Sequence, residues 1–165
     1  MPPFSLTNVL KNPPFQVLQA MRRMYGSISV DTLLEKKTSS DDDSLVLLDV
    51  RDPAEYSVSH LENAMNVPVY ASDKQLTELV QNIALDADVV CYCLIGGRAA
   101  KLAERIEGMI EKQRGAPKPT VYLLEGSISA WALSGKPLVD CEGKCTRDVH
   151  LDRAPPALKQ LFVLS

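Results

Sequence analysis

The hydrophobic pattern of this 165-residue chain switches repeatedly between short apolar runs and helical stripes. Residues 45–50 (LVLLDV) and 88–93 (DVVCYC) are almost continuously apolar, as in strands covered on both faces. Weaker runs predict a strand at 27–30, a short one at 64–67 stopped by Pro68, and a fifth at 120–124 (TVYLL). Helical spacing fills the intervals. Asp31 is a candidate cap for a short helix over 32–36, and 75–84 alternates apolar and polar residues at helical spacing. The longest helix is predicted over 97–113. There Leu102, Ile106 and Ile110 make an apolar stripe while Lys101, Glu104, Arg105 and Glu111 lie elsewhere, and Gly115-Ala116-Pro117 ends it. Residues 37–44 read as a polar loop, and 155–164 as a last helix opening at its prolines.

Strands alternating with helices imply an open α/β fold, a five-stranded parallel sheet with helices on both faces. The chain divides into an N-terminal extension (1–26), one domain (27–138) and a C-terminal tail (139–165) carrying the last helix. In such sheets ligands bind beyond the carboxyl ends of the strands, which directs attention to the turn after Cys93.

Composition changes this picture little. Hydrophobic content of 45% and a net charge of −3 fit a globular protein with no electrostatic reason to bind nucleic acid or an anionic membrane. The longest apolar run is far too short to span a bilayer. Cys91, Cys93, Cys141 and Cys145 are expected as free thiols in a reducing, cytoplasmic compartment, since no secretory leader is evident. The first thirty residues lack Asp and Glu and carry Lys11, Arg22 and Arg23, which keeps a mitochondrial destination as the alternative. The prolines at 2–3 and 13–14 interrupt any long amphipathic helix there.

The segment Cys93-Leu94-Ile95-Gly96-Gly97-Arg98 joins a buried strand to a helix start. Unpaired N–H groups and the helix dipole place partial positive charge at such a point, and a nearby cation such as Arg98 adds to it. Thiols in this setting ionise more readily than a free cysteine. The adjacent glycines allow several N–H groups to converge on one point as an anion nest. The plainer reading makes Cys93 one more small buried residue, which is the role expected of Cys91, two residues earlier on the same face.

These residues carry a resemblance. Asp49-Val50-Arg51-Asp52-Pro53-Ala54-Glu55-Tyr56 with His60-Leu61, Ala64, Asn66 and Pro68 is similar to the first signature of the rhodanese family, DVRxxxEYxxGHIxxAxNxP. Tyr92-Cys93, Gly96 and Arg98 match its active loop, YCxxGxR, and Gly126, Ile128, Ala130, Trp131, Gly135 and Pro137 follow its closing GGIxAWxxxGxP pattern. The resemblance covers about residues 27–138. It implies a single-domain sulfurtransferase in which Cys93 takes sulfane sulfur from thiosulfate, a persulfide or a polysulfide. The Cys93 persulfide then passes that sulfur to a thiol, a protein or cyanide. No cofactor and no metal are implied. The active loop would be Leu94, Ile95, Gly96, Gly97 and Arg98, with Asp49 and Arg51 supporting it by hydrogen bonds.

Some positions depart from the family pattern. Ala99 stands where Ser or Thr is common, Ser127 replaces a glycine, and Ser59 stands where glycine usually precedes His60. Leu94 and Ile95 make the flank of the loop apolar, which suits a protein persulfide or organic donor better than thiosulfate, while Arg98 keeps anionic donors open. Glu55 pairs with Arg98 or caps a turn, His60 fixes a loop, and Trp131 packs in the core. Cys141 and Cys145 lack the second ligand pair that a zinc site needs. A cysteine phosphatase on a similar scaffold would need Cys-x5-Arg around a phosphoryl group; here the spacing is Cys-x4-Arg. The remaining alternative is a rhodanese-like binding module or protein persulfide relay without turnover.

Overall fold

The computed structural model describes residues 26–39, 44–113 and 115–164. Residues 1–25, which include nearly all of the expected extension, and 40–43 of the expected loop lie outside the described residues. Five strands form one sheet: β1 (Gly26–Ile28), β2 (Leu45–Asp49), β3 (Met65–Asn66), β4 (Asp88–Tyr92) and β5 (Thr120–Leu124). Their order is β1-β5-β4-β2-β3, and every neighbouring pair is parallel. Parallel neighbours need crossover connections. Helices α1 (Val30–Ser39), α2 (Pro53–Val58), α3 (Asp73–Asn82), α4 (Gly97–Gln113) and α5 (Ser127–Leu133) lie between or after them. A small antiparallel hairpin, β6 (Leu138–Val139) with β7 (Cys145–Thr146), and a last helix, α6 (Pro156–Leu164), complete the described chain. No helix among the described residues is long and apolar enough to cross a membrane.

The apolar runs are apolar because the sheet is covered twice. Along β4 and its exit, Val89, Cys91 and Cys93 pack with α3 and α4 residues such as Leu76, Val80, Leu102, Ile106 and Ile110. Val90 and Tyr92 point the other way, toward Leu33 of α1, Ile128 and Trp131 of α5, Leu61 and Leu138. Period-two alternation thus divides one strand between two cores.

Several boundaries differ from the sequence pattern. Val30 belongs to α1 rather than to the first strand, because the Ser29 hydroxyl accepts the Thr32 N–H at 3.1 Å and starts the helix there. Ser29, not Asp31, is the cap. The helix also continues to Ser39, where the Thr38 and Ser39 hydroxyls donate to the Glu35 carbonyl. α3 begins two residues before the pattern suggested, at a capping box formed by Ser72 and Gln75.

Candidate functional site

β4 carries the chain into the core and out again at Cys93. That residue is 1% exposed, so its thiol lies on the floor of the site, beneath the loop that follows. The Gly96 N–H donates to Cys93 Sγ at 3.0 Å. Gly96 can turn its amide back toward the sulfur because it adopts φ +117°, a conformation rarely open to side chains. The Gly96 carbonyl then accepts from Ala100 N at 3.0 Å as α4 gets under way. Among the described residues Gly96 supplies the one amide hydrogen-bonded to the sulfur, where the two glycines suggested several. Leu94 is buried, Ile95 is 38% exposed, and a Cβ placed on Gly97 would meet nothing within 4 Å. The loop therefore has an apolar rim beside open space.

Arg98 turns away from a free cationic role. Its Nη1 and Nη2 donate to Glu55 Oε2 and Oε1 at 2.5 and 2.9 Å. Glu55 is itself buried, and Oε2 also accepts the Asp52 N–H at 3.1 Å, so one carboxylate closes the α2 capping box and clasps α4. Both roles considered for Glu55 are present together. Burial pushes the Glu55 carboxyl upward, but the Arg98 hydrogen bonds, the Asp52 amide and the charges of Arg98 and Arg51 outweigh it and hold the group below its ordinary value. Arg98 is raised in turn, chiefly by its hydrogen bond to Glu55.

The start of α5 grips the other side of the loop. Ser127 Oγ accepts the Cys93 N–H at 3.3 Å, and Ile128 N donates to the Cys93 carbonyl at 3.1 Å. The Leu94 carbonyl accepts from Ser129 N at 3.3 Å and from Ser129 Oγ at 2.6 Å. Ser127 reaches this position with φ +54°, in the left-handed region that disfavours a side chain. Gly126 before it has φ +67°, and a Cβ there would sit 2.4 Å from the Ala130 Cβ. The pattern of glycines pointed to this turn but did not reveal its two serine grips, since nothing in the local sequence says which backbone a buried hydroxyl will meet.

Asp49 and Arg51 are fully buried and bind each other, with Arg51 Nε and Nη2 donating to Asp49 at 2.9 and 2.6 Å. Arg51 Nη2 also donates to the Ser59 carbonyl at 2.5 Å. No hydrogen bond joins either side chain to residues 93–98; they brace the turn between β2 and β3 instead. Their link to the loop is indirect, through Val50 N on the Tyr92 carbonyl at 2.8 Å. Ser59 sits in extended backbone, φ −167°, so it needs no glycine. His60 stacks on Tyr56 with its Nδ1 2.9 Å from the Tyr56 carbonyl, and buried Trp131 donates its Nε1 to Pro137 O at 2.8 Å. Cys91 is buried on the same face as Cys93, and burial pushes its thiol up to about 12. Cys141 and Cys145 are free and exposed on the β6–β7 hairpin.

Residues 30–134 match the family described as the rhodanese-like domain. The chain belongs to that family. It is 29% identical over 120 residues, 73% of its length, to the whole of a sulfurtransferase from Allochromatium vinosum. It is 34% identical over 94 residues to a tRNA uridine(34) hydroxylase from Salmonella paratyphi B, where the match covers 56% of this chain and only 25% of the hydroxylase. Among solved structures, an As-Sb reductase from Leishmania major shares the fold with a TM-score of 0.63 and 21% identity over 74% of this chain and 92% of its own.

Proposed function

We propose that this chain is a sulfurtransferase that carries sulfane sulfur on Cys93. The observation that carries the reading is the Gly96 amide aimed at Cys93 Sγ from a turn that only glycine readily forms, at the start of a 17-residue helix. Membership of the rhodanese-like family and the likeness to a sulfurtransferase support it. In the first half-reaction the Cys93 sulfur attacks the outer sulfur of a donor. A Cys93–sulfur bond forms, the donor's S–S bond breaks, and its electron pair leaves as a thiolate or as sulfite. A nucleophilic thiol, a protein or cyanide then takes the outer sulfur and restores Cys93. The Gly96 N–H and the dipole of α4 favour the negative charge that the sulfur carries before attack and after loading.

One observation favours a second reading. The 1% exposure of Cys93 is what a rhodanese-like binding module without turnover would show. Intact mass after incubation with thiosulfate or a polysulfide separates the two. The sulfurtransferase reading expects the gain of one sulfur atom by the wild type and by Cys91→Ser, and none by Cys93→Ser. No gain with any donor would leave the binding module.

A further inference from the structure

Resting on the sulfur-carrier reading above, we propose that the donor is the persulfide of an organic thiol rather than the thiosulfate dianion, and that Ile95 and the bare Gly97 set this preference. Charge at the mouth is the first ground. Arg98 is the one cation between residues 93 and 98, and its charge is paired with Glu55, to which both terminal nitrogens donate. Glu55 cannot release it cheaply, because the carboxylate is buried and also holds the Asp52 amide. The Asp52 carboxylate is matched by Arg153 at 2.9 Å, and Arg51 is sealed against Asp49. The charges around the loop cancel in pairs. A dianion entering this space loses water and finds a single amide at the sulfur in return.

The shape of the rim is the second ground. Ile95 is 38% exposed, and open space adjoins Gly97, whose backbone does not require glycine because its φ is not positive. An apolar side chain and an unfilled position suit the carbon stem of an organic persulfide, whose outer sulfur leads into the loop. The step balances without an oxidant. Cys93 thiolate attacks the outer sulfur of R–S–S–H, giving the Cys93 persulfide and R–S⁻, which takes a proton from water; the outer sulfur keeps its own.

The test measures kcat/KM for loading Cys93 from thiosulfate, from cysteine persulfide and from persulfidated serum albumin. The last two are small-molecule and protein forms of the same donor chemistry, and the faster one names the source. The wild type is expected to load at least about tenfold faster from one of them than from thiosulfate. Ile95→Arg, which places an unpaired cation on the rim, is expected to shift the ratio about tenfold toward thiosulfate relative to Ile95→Gln, as one added charge near a dianion would. Faster loading from thiosulfate by the wild type, or equal ratios in the two variants, overturns the donor assignment and leaves sulfur transfer standing. Failure of every donor to load Cys93 removes the sulfur-carrier reading and this inference with it.

Discussion

Ser127 is completely buried, holds a left-handed backbone and uses its hydroxyl to accept the N–H of Cys93. A side chain in that region costs about 1 kcal/mol, which glycine would not incur. Ser127→Gly relieves that cost while losing the hydrogen bond, so its unfolding free energy should stay close to the wild type. Ser127→Ala keeps the strained backbone and also leaves a buried N–H unpaired. It should be less stable than Ser127→Gly by about 1 kcal/mol in denaturant titrations; equal stabilities would mean that the backbone at 127 is not strained. The thiols divide just as sharply by environment. Iodoacetamide near neutral pH should label exposed Cys141 and Cys145 first, while Cys91, buried and held near 12, should react only on unfolding. Labelling of Cys91 in the native protein would contradict its place in the core. The prominence of Cys93 was legible from its position between a buried strand and two glycines. The Ser127 grip was not, because a serine in a family glycine position reads only as a departure until the backbone shows what it touches.

Between elements, the bond that matters most is the clasp of α2 on α4 by Glu55 and Arg98. Glu55 titrates below its ordinary value near 4.5 when folded. A depressed carboxylate contributes stability that is fully present above the unfolded value and is lost as pH falls through the lower folded one. Glu55→Gln should therefore cost about 2–3 kcal/mol at pH 7, breaking a largely buried pair, and the gap from wild type should narrow as the pH falls below 4.5. A gap that stays constant with pH would mean that the clasp gains nothing from charge. The start of α5 offers a steric counterpart: Gly126→Ala must fit a Cβ 2.4 Å from another while holding φ +67°. A loss of about 2 kcal/mol or more is expected in thermal or denaturant unfolding. The long helix α4 was readable from its stripe, down to both boundaries. α2, with six residues, is too short to show a stripe, although Asp52-Pro53 and Glu55 spell a capping box once a helix is sought there. α5 escaped because its sequence, SISAWAL, is buried over most of its surface and so shows no polar face.

For the molecule as a whole, the apolar runs of β2 and β4 announced a sheet covered on both faces, and the structure places α3 and α4 on one side and α1 and α5 on the other. The order β1-β5-β4-β2-β3 was not legible, because apolar runs carry no record of which strand lies beside which. That order sets β4 at the centre, so the chain leaves the sheet at Cys93 with α2, α4 and α5 all within reach of the loop. Distant pieces of sequence, 55, 98 and 127–129, thereby converge on the one loop that holds Cys93. The decisive measurement is a single turnover: load the protein with a labelled sulfane sulfur, remove the donor, add excess thiol, and map the label by peptide. The label should enter the peptide that contains Cys93 and leave it at the rate at which labelled thiol persulfide appears. Label resting on Cys141 or Cys145 instead, or a Cys93 label that no thiol discharges, would contradict transfer through this site.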